Sequence, residues 1–242
     1  MIAEFLKQLD PPLTGEQLFD HLADVVYFIK DAQGAYLVVN QTLVTRCGVV
    51  NKQSLLGRTP NEVLGAPLGD RFAVQDREVI RSGKPLLSQL ELHLYPNGEV
   101  GWCMTTKLPL RDTRNKVVGL VGVSQDLRIP NIQTEEYQQM ATAIAYAERH
   151  LSNPPSVTKL TELARMSRYQ LDRRMRTVFG LATGQWLVKV RIDAAQRLLQ
   201  ESTASIAAIS LQVGYTDQSA FTRQFRQATG LSPGQYRTAC QR

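Results

Sequence analysis

The sequence predicts two domains of different class. The first is an α+β domain, a five-stranded antiparallel sheet with helices on one face, and the second is an all-α domain with two helix-turn-helix motifs. Residues up to 127 read in the order β-β-α-α-α-β-β-β, which is typical of an α+β plan. Later residues place apolar side chains at helical spacing. Ile129–Thr134 separates the two parts, because a proline and polar residues break the periodicity there.

The α+β part is predicted to begin with a hairpin. Val25–Lys30 and Ala35–Asn40 are rich in β-branched and aromatic residues, and a DAQG turn joins them. Helical segments follow at Gln41–Gly48, Lys52–Leu56 and Arg71–Arg81. Three further strands are predicted at Leu86–Tyr95, Val100–Leu108 and Val117–Leu127. The last begins with VVGLVGV, which is apolar on both faces and therefore indicates a central strand.

The most informative motif lies in Ile206–Arg237. Apolar residues at helical spacing lead to Gly214, where a turn favours positive φ. Asp217 is a typical N-cap, and Phe221 and Phe225 follow on one side of a second helix. This pattern predicts a helix-turn-helix, whose second helix enters the major groove of DNA. An ordinary αα-hairpin has the same pattern and stays open as an alternative at this point.

A weaker copy of the motif occupies Val157–Phe179, with Ser167 as the predicted N-cap. Gly180 and Gly230 follow the second helices of the two copies. Between the copies, Gln185–Gln200 predicts an uninterrupted amphipathic helix. Such a helix is roughly 24 Å long. With its flanking turns, it can hold two recognition helices about 34 Å apart, which is one turn of DNA.

The net charge of +6 lies entirely in the second half. Residues 1–130 contain 14 basic and 14 acidic residues, whereas residues 131–242 contain 14 basic and 8 acidic ones. A basic module joined to a neutral one is typical of a nucleic-acid-binding domain tethered to another domain. A merely solvated basic face is the simpler alternative.

Several classes of protein are disfavoured by the sequence. It has no apolar run of about 18 residues and no basic, apolar leader at its N-terminus, so we expect a cytoplasmic protein. Three widely spaced cysteines indicate a reduced environment and no metal site. There is no glycine-rich phosphate loop, HExxH or GxSxG motif, so we do not expect an enzyme.

Residues 134–242 resemble the DNA-binding domain of the AraC/XylS family of bacterial transcriptional regulators. The second motif matches in IAAI, VGY, DQSAFTRQFR and GLSPGQYR, and the first in SRYQL and VRIDAAQRLL. The first motif departs from the family pattern at Thr161, Arg165, Arg174 and Thr183. Arg165 stands where the turn glycine is usual, at a cost on the order of 1 kcal/mol if φ is positive.

The resemblance implies two sets of DNA-contacting residues. The base-facing residues are Tyr169, Asp172 and Arg173 in the first motif, and Gln218, Ser219, Thr222 and Arg223 in the second. The arginines better placed for phosphates are Arg168, Arg174, Arg176 and Arg226. An alternative for Asp172 is that it only orients Arg173 and Arg176.

Residues 16–128 resemble a PAS sensor domain in FIKDAQGAYLVVN, LLGRTPNEV, IRSGKPL, GWCMTTKLPLRD and VVGLVGVSQD. That family uses a cavity between sheet and helices for haem, flavin, a small organic ligand or nothing. We expect no cofactor here. Pro60 stands where flavin-binding members have a reactive cysteine, and none of His21, His93 and His150 lies on a helix of the cavity.

Strand alternation allows two registers for the cavity wall. By resemblance, the candidate ligand-binding residues are Phe28, Cys47, Val63, His93, Cys103, Thr105, Leu120 and Ser124. The opposite face, with Leu90, Leu92 and Leu94, then needs cover. We expect the cover to be an amphipathic segment with Ile2, Phe5, Leu6 and Leu9, or a second subunit. A core without any ligand is the alternative.

Together these observations predict four segments: an amphipathic N-terminal segment at 1–15, a PAS-like domain at 16–128, a linker at 129–133 and a DNA-binding domain at 134–242. The expected function is a regulator that binds double-stranded DNA, forms a homodimer through its PAS half, senses an intracellular small molecule and contacts RNA polymerase if it is an activator. One alternative is a PAS half that serves only for dimerisation. A second is redox chemistry at Cys47 or Cys103, although neither has an evident basic neighbour to favour a thiolate.

Overall fold

The computed structural model describes residues 4–5, 8–10, 12–66, 68–94, 100–127 and 131–240. The chain divides into two compact units, one with residues 1–89 and 93–126 and the other with residues 127–242 and 90–92. Ile2 and Leu6 of the predicted amphipathic segment lie outside the described residues. So do residues 129 and 130 of the predicted linker and the side chain of Leu94.

The N-terminal unit is α+β, which confirms the predicted fold class. Its helices are α1 (Glu16–Phe19), α2 (Gln41–Cys47), a 3₁₀ helix at Lys52–Ser54, α3 (Pro60–Leu64) and α4 (Leu68–Ser82). Its strands are β1 (Val25–Asp31), β2 (Tyr36–Val39), β3 (Leu86–Leu94), β4 (Val100–Arg111) and β5 (Val117–Asp126). Helices α1 and α3 were not predicted. Strand β4 runs three residues further than predicted, and α4 begins three residues earlier.

The five strands form one sheet in the order β2-β1-β5-β4-β3, with β1 antiparallel to β2 and β5, and β4 antiparallel to β5. The apolar strand β5 is therefore central, as predicted. Gly122 of β5 faces Phe28 of β1 across the sheet. A Cβ at Gly122 would overlap the Phe28 ring, so glycine lets that ring lie close over the sheet.

The core of this unit lies between the sheet and the helices. Inward side chains follow the two-residue period of each strand. The buried apolar cluster consists of Val26, Phe28, Tyr36, Val39, Leu43, Val44, Leu55, Val79 and Leu120. Cys47 and Val63 are partly buried and pack against it.

Apart from Leu90–Leu92 of β3, the described residues of the C-terminal unit form only helices and their connections, again as predicted. Its helices are α5 (Glu135–Arg149), α6 (Val157–Ala164), α7 (Arg168–Phe179), α8 (Thr183–Glu201), α9 (Ile206–Gln212), α10 (Gln218–Thr229) and α11 (Pro233–Cys240). Helices α6 and α7 form the first helix-turn-helix, α9 and α10 form the second, and α8 is the predicted connecting helix.

The two motifs are copies of one plan, with α7 at 168–179 and α10 at 218–229, an offset of 50 residues. Ser167 and Asp217 cap the N-termini of these helices, and both helices end at a glycine with positive φ. The preceding turns differ in sequence, because Gly214 (φ 77°) occupies one and Arg165 (φ 52°) the other. Arg165 therefore has the left-handed conformation in which a non-glycine residue carries a cost.

Candidate functional site

Helix α10 separates a buried face from an exposed polar face. Phe221 and Phe225 are 0% exposed and anchor the helix in its unit. Gln218, Ser219 and Arg223 are exposed, and Thr222 is half-buried. The Asp217 carboxylate accepts a hydrogen bond from the Ala220 amide at 2.7 Å, which fixes where the helix begins. The polar side chains therefore project from a rigid support.

The turn before α10 is held by the connecting helix. Arg191 of α8 donates through Nε to the Val213 carbonyl and through Nη2 to the Gly214 carbonyl, both at 2.7 Å. Its guanidinium also lies 3.7 Å from the centroid of the Tyr215 ring. A Cβ at Gly214 would overlap the Leu151 carbonyl oxygen and the Pro154 ring, so only glycine fits the turn.

Helix α7 presents the corresponding surface of the first motif. Leu171 and Met175 are buried, whereas Tyr169 is 75% exposed and Arg173 is exposed. Among the predicted phosphate contacts, Arg168, Arg176 and Arg226 are exposed, and Arg174 is half-buried. Each motif thus combines candidate base-reading side chains with nearby arginines.

Asp172 makes a contact within the C-terminal unit that the sequence did not predict. Its carboxylate accepts hydrogen bonds from the Thr183 amide at 3.0 Å and from the Thr183 hydroxyl. Partial burial acts to raise the pKa of Asp172, but the Thr183 hydrogen bonds, with Arg176 and Arg168, leave it below its usual value. Asp172 therefore caps the first residue of α8.

The second motif lacks this cap. Thr222 occupies the position of Asp172, and Pro233 that of Thr183, 50 residues on. Proline has no amide hydrogen, so the start of α11 needs no acceptor there. In the first motif, the departure from proline to Thr183 creates an amide and a hydroxyl donor, and Asp172 satisfies both.

The predicted ligand-binding residues all lie within the N-terminal unit. Phe28 and Leu120 belong to its apolar cluster, with Cys47 and Val63 packed against them, and His93, Cys103, Thr105 and Ser124 are buried. Thr105 and Ser124 are cross-strand neighbours whose hydroxyl oxygens lie 3.0 Å apart. Burial, followed by Arg46 and Arg71, lowers the pKa of His93 to about 3, so its ring is neutral at pH 7.

The redox alternative rested on the surroundings of Cys47 and Cys103. The sequence-based view that Cys47 lacks a basic neighbour is wrong, because Arg46 and Lys30 both act to lower its pKa. Burial has the larger effect and raises the pKa of the Cys47 thiol to about 11. Cys103 is also buried. These surroundings favour structural thiols over reactive ones.

Sequence reasoning missed a buried charge cluster in this unit. The Asp76 carboxylate on α4 pairs with Lys30 of β1 at 2.5 Å and with Lys107 of β4 at 2.6 Å. All three side chains are no more than 2% exposed. Burial lowers the pKa of Lys30 to about 8 despite the attraction of Asp76. The two-residue period of a strand could have indicated the burial of Lys30, because Lys30 lies on the same inward face of β1 as Val26 and Phe28.

None of the helices in the described part of the chain is long and apolar enough to cross a membrane.

Comparison with known proteins gives a match in each unit. A family model described as a helix-turn-helix domain matches residues 160–239, and one described as a PAS fold matches residues 19–129. The solved DNA-binding domain of AdpA, in complex with a target DNA, is 38% identical and covers 42% of this chain and 91% of that one, with a TM-score of 0.40.

Two curated relatives match the C-terminal region. An uncharacterised HTH-type transcriptional regulator from Haemophilus influenzae is 36% identical over 100 residues, 41% of this chain and 34% of the relative. A putative AraC-like transcription regulator from Streptomyces antibioticus is 33% identical over 98 residues, 40% of this chain and 32% of the relative. The chain thus spans about a third of the length of these relatives. The matched relatives are named as transcriptional regulators, in agreement with the expectation from the sequence. The chain therefore carries an AraC-type helix-turn-helix domain and, before it, a PAS-fold domain.

Proposed function

We propose that the chain regulates transcription by binding a specific duplex DNA site with α7 and α10, under the control of its PAS-fold unit. The observation that carries this proposal is the exposed polar face of α10, with Gln218, Ser219 and Arg223 above two fully buried phenylalanines. Asp217 and Arg191 hold the start of the helix and its turn, so the face is preorganised for the major groove.

The side chains on these faces suit base edges. Gln218 matches the N6 and N7 atoms of adenine, and Arg223 and Arg173 match the O6 and N7 atoms of guanine. Tyr169 offers an apolar ring for a thymine methyl group. Ser219 and Thr222 complete the proposed reading set, from which Asp172 is removed. Arg168, Arg174, Arg176 and Arg226 bind phosphates and fix the register without reading sequence.

The N-terminal unit is proposed to form a homodimer through the outer face of its sheet. Val38, Ile29, Val121 and Leu108 are neighbours in one row across β2, β1, β5 and β4. Leu108 is 45% exposed, and the other three are half-buried. An apolar row on an exposed sheet favours a partner. As a cytoplasmic bacterial regulator, the dimer would contact RNA polymerase if it activates transcription.

The same unit is proposed to respond to an intracellular small molecule. The competing proposal is a PAS-fold unit that only dimerises, and one observation favours it: the Phe28 ring, predicted to line a ligand cavity, packs in the apolar core and over Gly122. A change in DNA affinity on addition of ligand would support sensing. An unchanged affinity in an otherwise DNA-binding dimer would support the competing proposal.

The proposal for α10 is tested with two glutamines on the same helix. Gln218 lies in the first turn and Gln227 in the last, and both are exposed. The full chain selects sites from randomised duplexes, and Gln218→Ala and Gln227→Ala are then compared on the selected site. We expect Gln218→Ala to relax base preference at one position and Gln227→Ala to leave preference unchanged. Equal preferences in wild type and both variants would contradict reading by α10.

A further inference from the structure

A small cavity opens beside the buried charge cluster of the N-terminal unit. It lies between the β1–β2 turn, the start of α3 and one side of α4, and its volume is about 110 Å³. Its wall consists of Gln33, Gly34, Thr59, Pro60, Asn61, Ala73, Asp76, Arg77 and Ile80. The wall contains none of the eight residues that the sequence predicted for ligand binding.

The volume limits what the cavity can hold. A cavity of about 150 Å³ accommodates benzene, so this one takes a molecule of about that size or smaller. Its wall is mixed, with amide and hydroxyl groups from Gln33, Thr59 and Asn61 and apolar surface from Pro60 and Ile80. A few polar groups converging on an apolar wall are typical of a binding site for a small polar molecule.

The charges around the cavity decide the sign of the ligand. Lys30 and Lys107 share the single carboxylate of Asp76, and Arg77 lies exposed on the wall. The three buried side chains, Lys30, Lys107 and Asp76, leave one positive charge in excess. A buried positive excess is costly without a counter-charge, so an anion is favoured and a cation is disfavoured. The pKa of Lys30, lowered to about 8 by burial, is consistent with this cost.

Asp76 adds a second requirement. Its two oxygens accept from Lys30 and Lys107, and a carboxylate offers about four lone-pair sites in all. The remaining capacity suits a ligand group that donates a hydrogen bond. A hydroxyl meets this requirement without adding to the positive excess, whereas an ammonium group adds to it.

We propose that this cavity binds a small hydroxycarboxylic acid, with its carboxylate toward Arg77 and its hydroxyl donating to Asp76. This inference rests on the proposed sensing function and identifies its ligand class and site. Asp76 joins α4 to β1 and β4, the two strands that flank central β5. A ligand on Asp76 therefore acts on both strands at once, and it shifts the protein only as far as it prefers one state.

The first test is calorimetric titration of the full chain with glycolate and lactate. Three matched compounds are titrated in parallel: acetate lacks the hydroxyl, ethylene glycol lacks the carboxylate, and glycine replaces the hydroxyl with ammonium. We expect saturable binding of glycolate or lactate, and at least about tenfold weaker binding of the other three, because each loses a hydrogen bond or a charge interaction. No saturable binding of either hydroxy acid, or equal binding of acetate, would overturn the proposal.

The second test uses two arginines of α4. Arg77 lines the cavity, whereas Arg81 lies one turn later and pairs with Glu78 at the surface. Arg77→Gln is expected to weaken hydroxy-acid binding at least about tenfold, and Arg81→Gln to leave it unchanged. Equal effects would overturn the assigned site. DNA binding is measured in the same preparations. A protein that does not bind the hydroxy acids but still selects DNA contradicts only the proposed ligand site. A protein that fails to select DNA contradicts the proposed function.

Discussion

The Arg191 guanidinium of α8 lies 3.7 Å from the centroid of the Tyr215 ring, immediately after the turn of the second helix-turn-helix. The same guanidinium donates to the Val213 and Gly214 carbonyls. One side chain of the connecting helix therefore holds both the backbone of the turn and the aromatic residue that follows it. The orientation of α10 depends on this contact, because the turn sets where the helix begins.

We expect Arg191→Lys to lower the free energy of unfolding of the C-terminal unit by about 2–3 kcal/mol. A lysine cannot reproduce the two-carbonyl fork, and hydrogen bonds to charged groups are among the stronger ones. The matched change is Tyr215→Phe, because the buried Tyr215 hydroxyl has no hydrogen-bond partner among the described residues. Chemical denaturation should show Tyr215→Phe to be neutral or stabilising. A destabilisation as large as that of Arg191→Lys would contradict this account.

The two turns give opposite predictions for glycine. Arg165→Gly should stabilise the first motif by about 1 kcal/mol, because Arg165 has positive φ, which costs a non-glycine residue about that much. Gly214→Ala should destabilise the second motif, since the new Cβ overlaps the Leu151 carbonyl and the Pro154 ring. Thermal melting of the two variants measures both. If the melting temperature moves in the same direction for both variants, then the positive φ at Arg165 and the lack of room for a Cβ at Gly214 do not determine the stability of the two motifs.

Asp172→Ala should destabilise the C-terminal unit by about 1 kcal/mol, the usual cost of losing a helix cap, and leave base preference unchanged. The adjacent Arg173→Ala is the control, because Arg173 is exposed on α7 and is proposed to read a base. Denaturation and selection from randomised duplexes separate the two effects. A changed base preference in Asp172→Ala would restore its role in base reading.

The buried charge cluster predicts unequal effects of removing its members. Asp76→Asn should cost about 3–5 kcal/mol, because it leaves two lysine charges buried without their counter-charge. Lys30→Met should be far milder or stabilising, because it leaves the neutral pair of Asp76 and Lys107 in place. Urea denaturation of the N-terminal unit measures the change in the free energy of unfolding for both variants. If Lys30→Met lowers the free energy of unfolding as much as Asp76→Asn does, the cluster does not carry an excess of positive charge.

Much of the fold was predictable because its signals are local. The caps at Ser167 and Asp217, the glycine turn and the apolar strand β5 each depend on neighbours within a few residues, and all are as predicted. The contact of Asp172 with Thr183 was not predictable, because it depends on how α7 meets α8. Sequence position alone leaves Asp172 indistinguishable from a base-reading residue.

The charge cluster was missed for a related reason. Lysines and aspartates are usually exposed, so residue type alone predicts that Lys30, Asp76 and Lys107 lie at the surface. Their burial is tolerated because three distant elements bring both lysine nitrogens within 2.6 Å of the Asp76 carboxylate. The packing of the Phe28 ring over Gly122 was not predictable either, because it depends on the pairing of β1 with β5.

The most direct test of base reading by α10 is equilibrium binding of the full chain to a randomised duplex library, with Arg223→Ala and Arg176→Ala measured beside wild type. Both arginines are exposed, but only Arg223 is assigned to bases. We predict that Arg223→Ala weakens the preferred site by about 1–3 kcal/mol and flattens preference at one position. Arg176→Ala should weaken all sequences alike and reduce the salt dependence by about one phosphate contact. Identical changes in the two variants, or no sequence preference in the wild-type chain, would contradict the account.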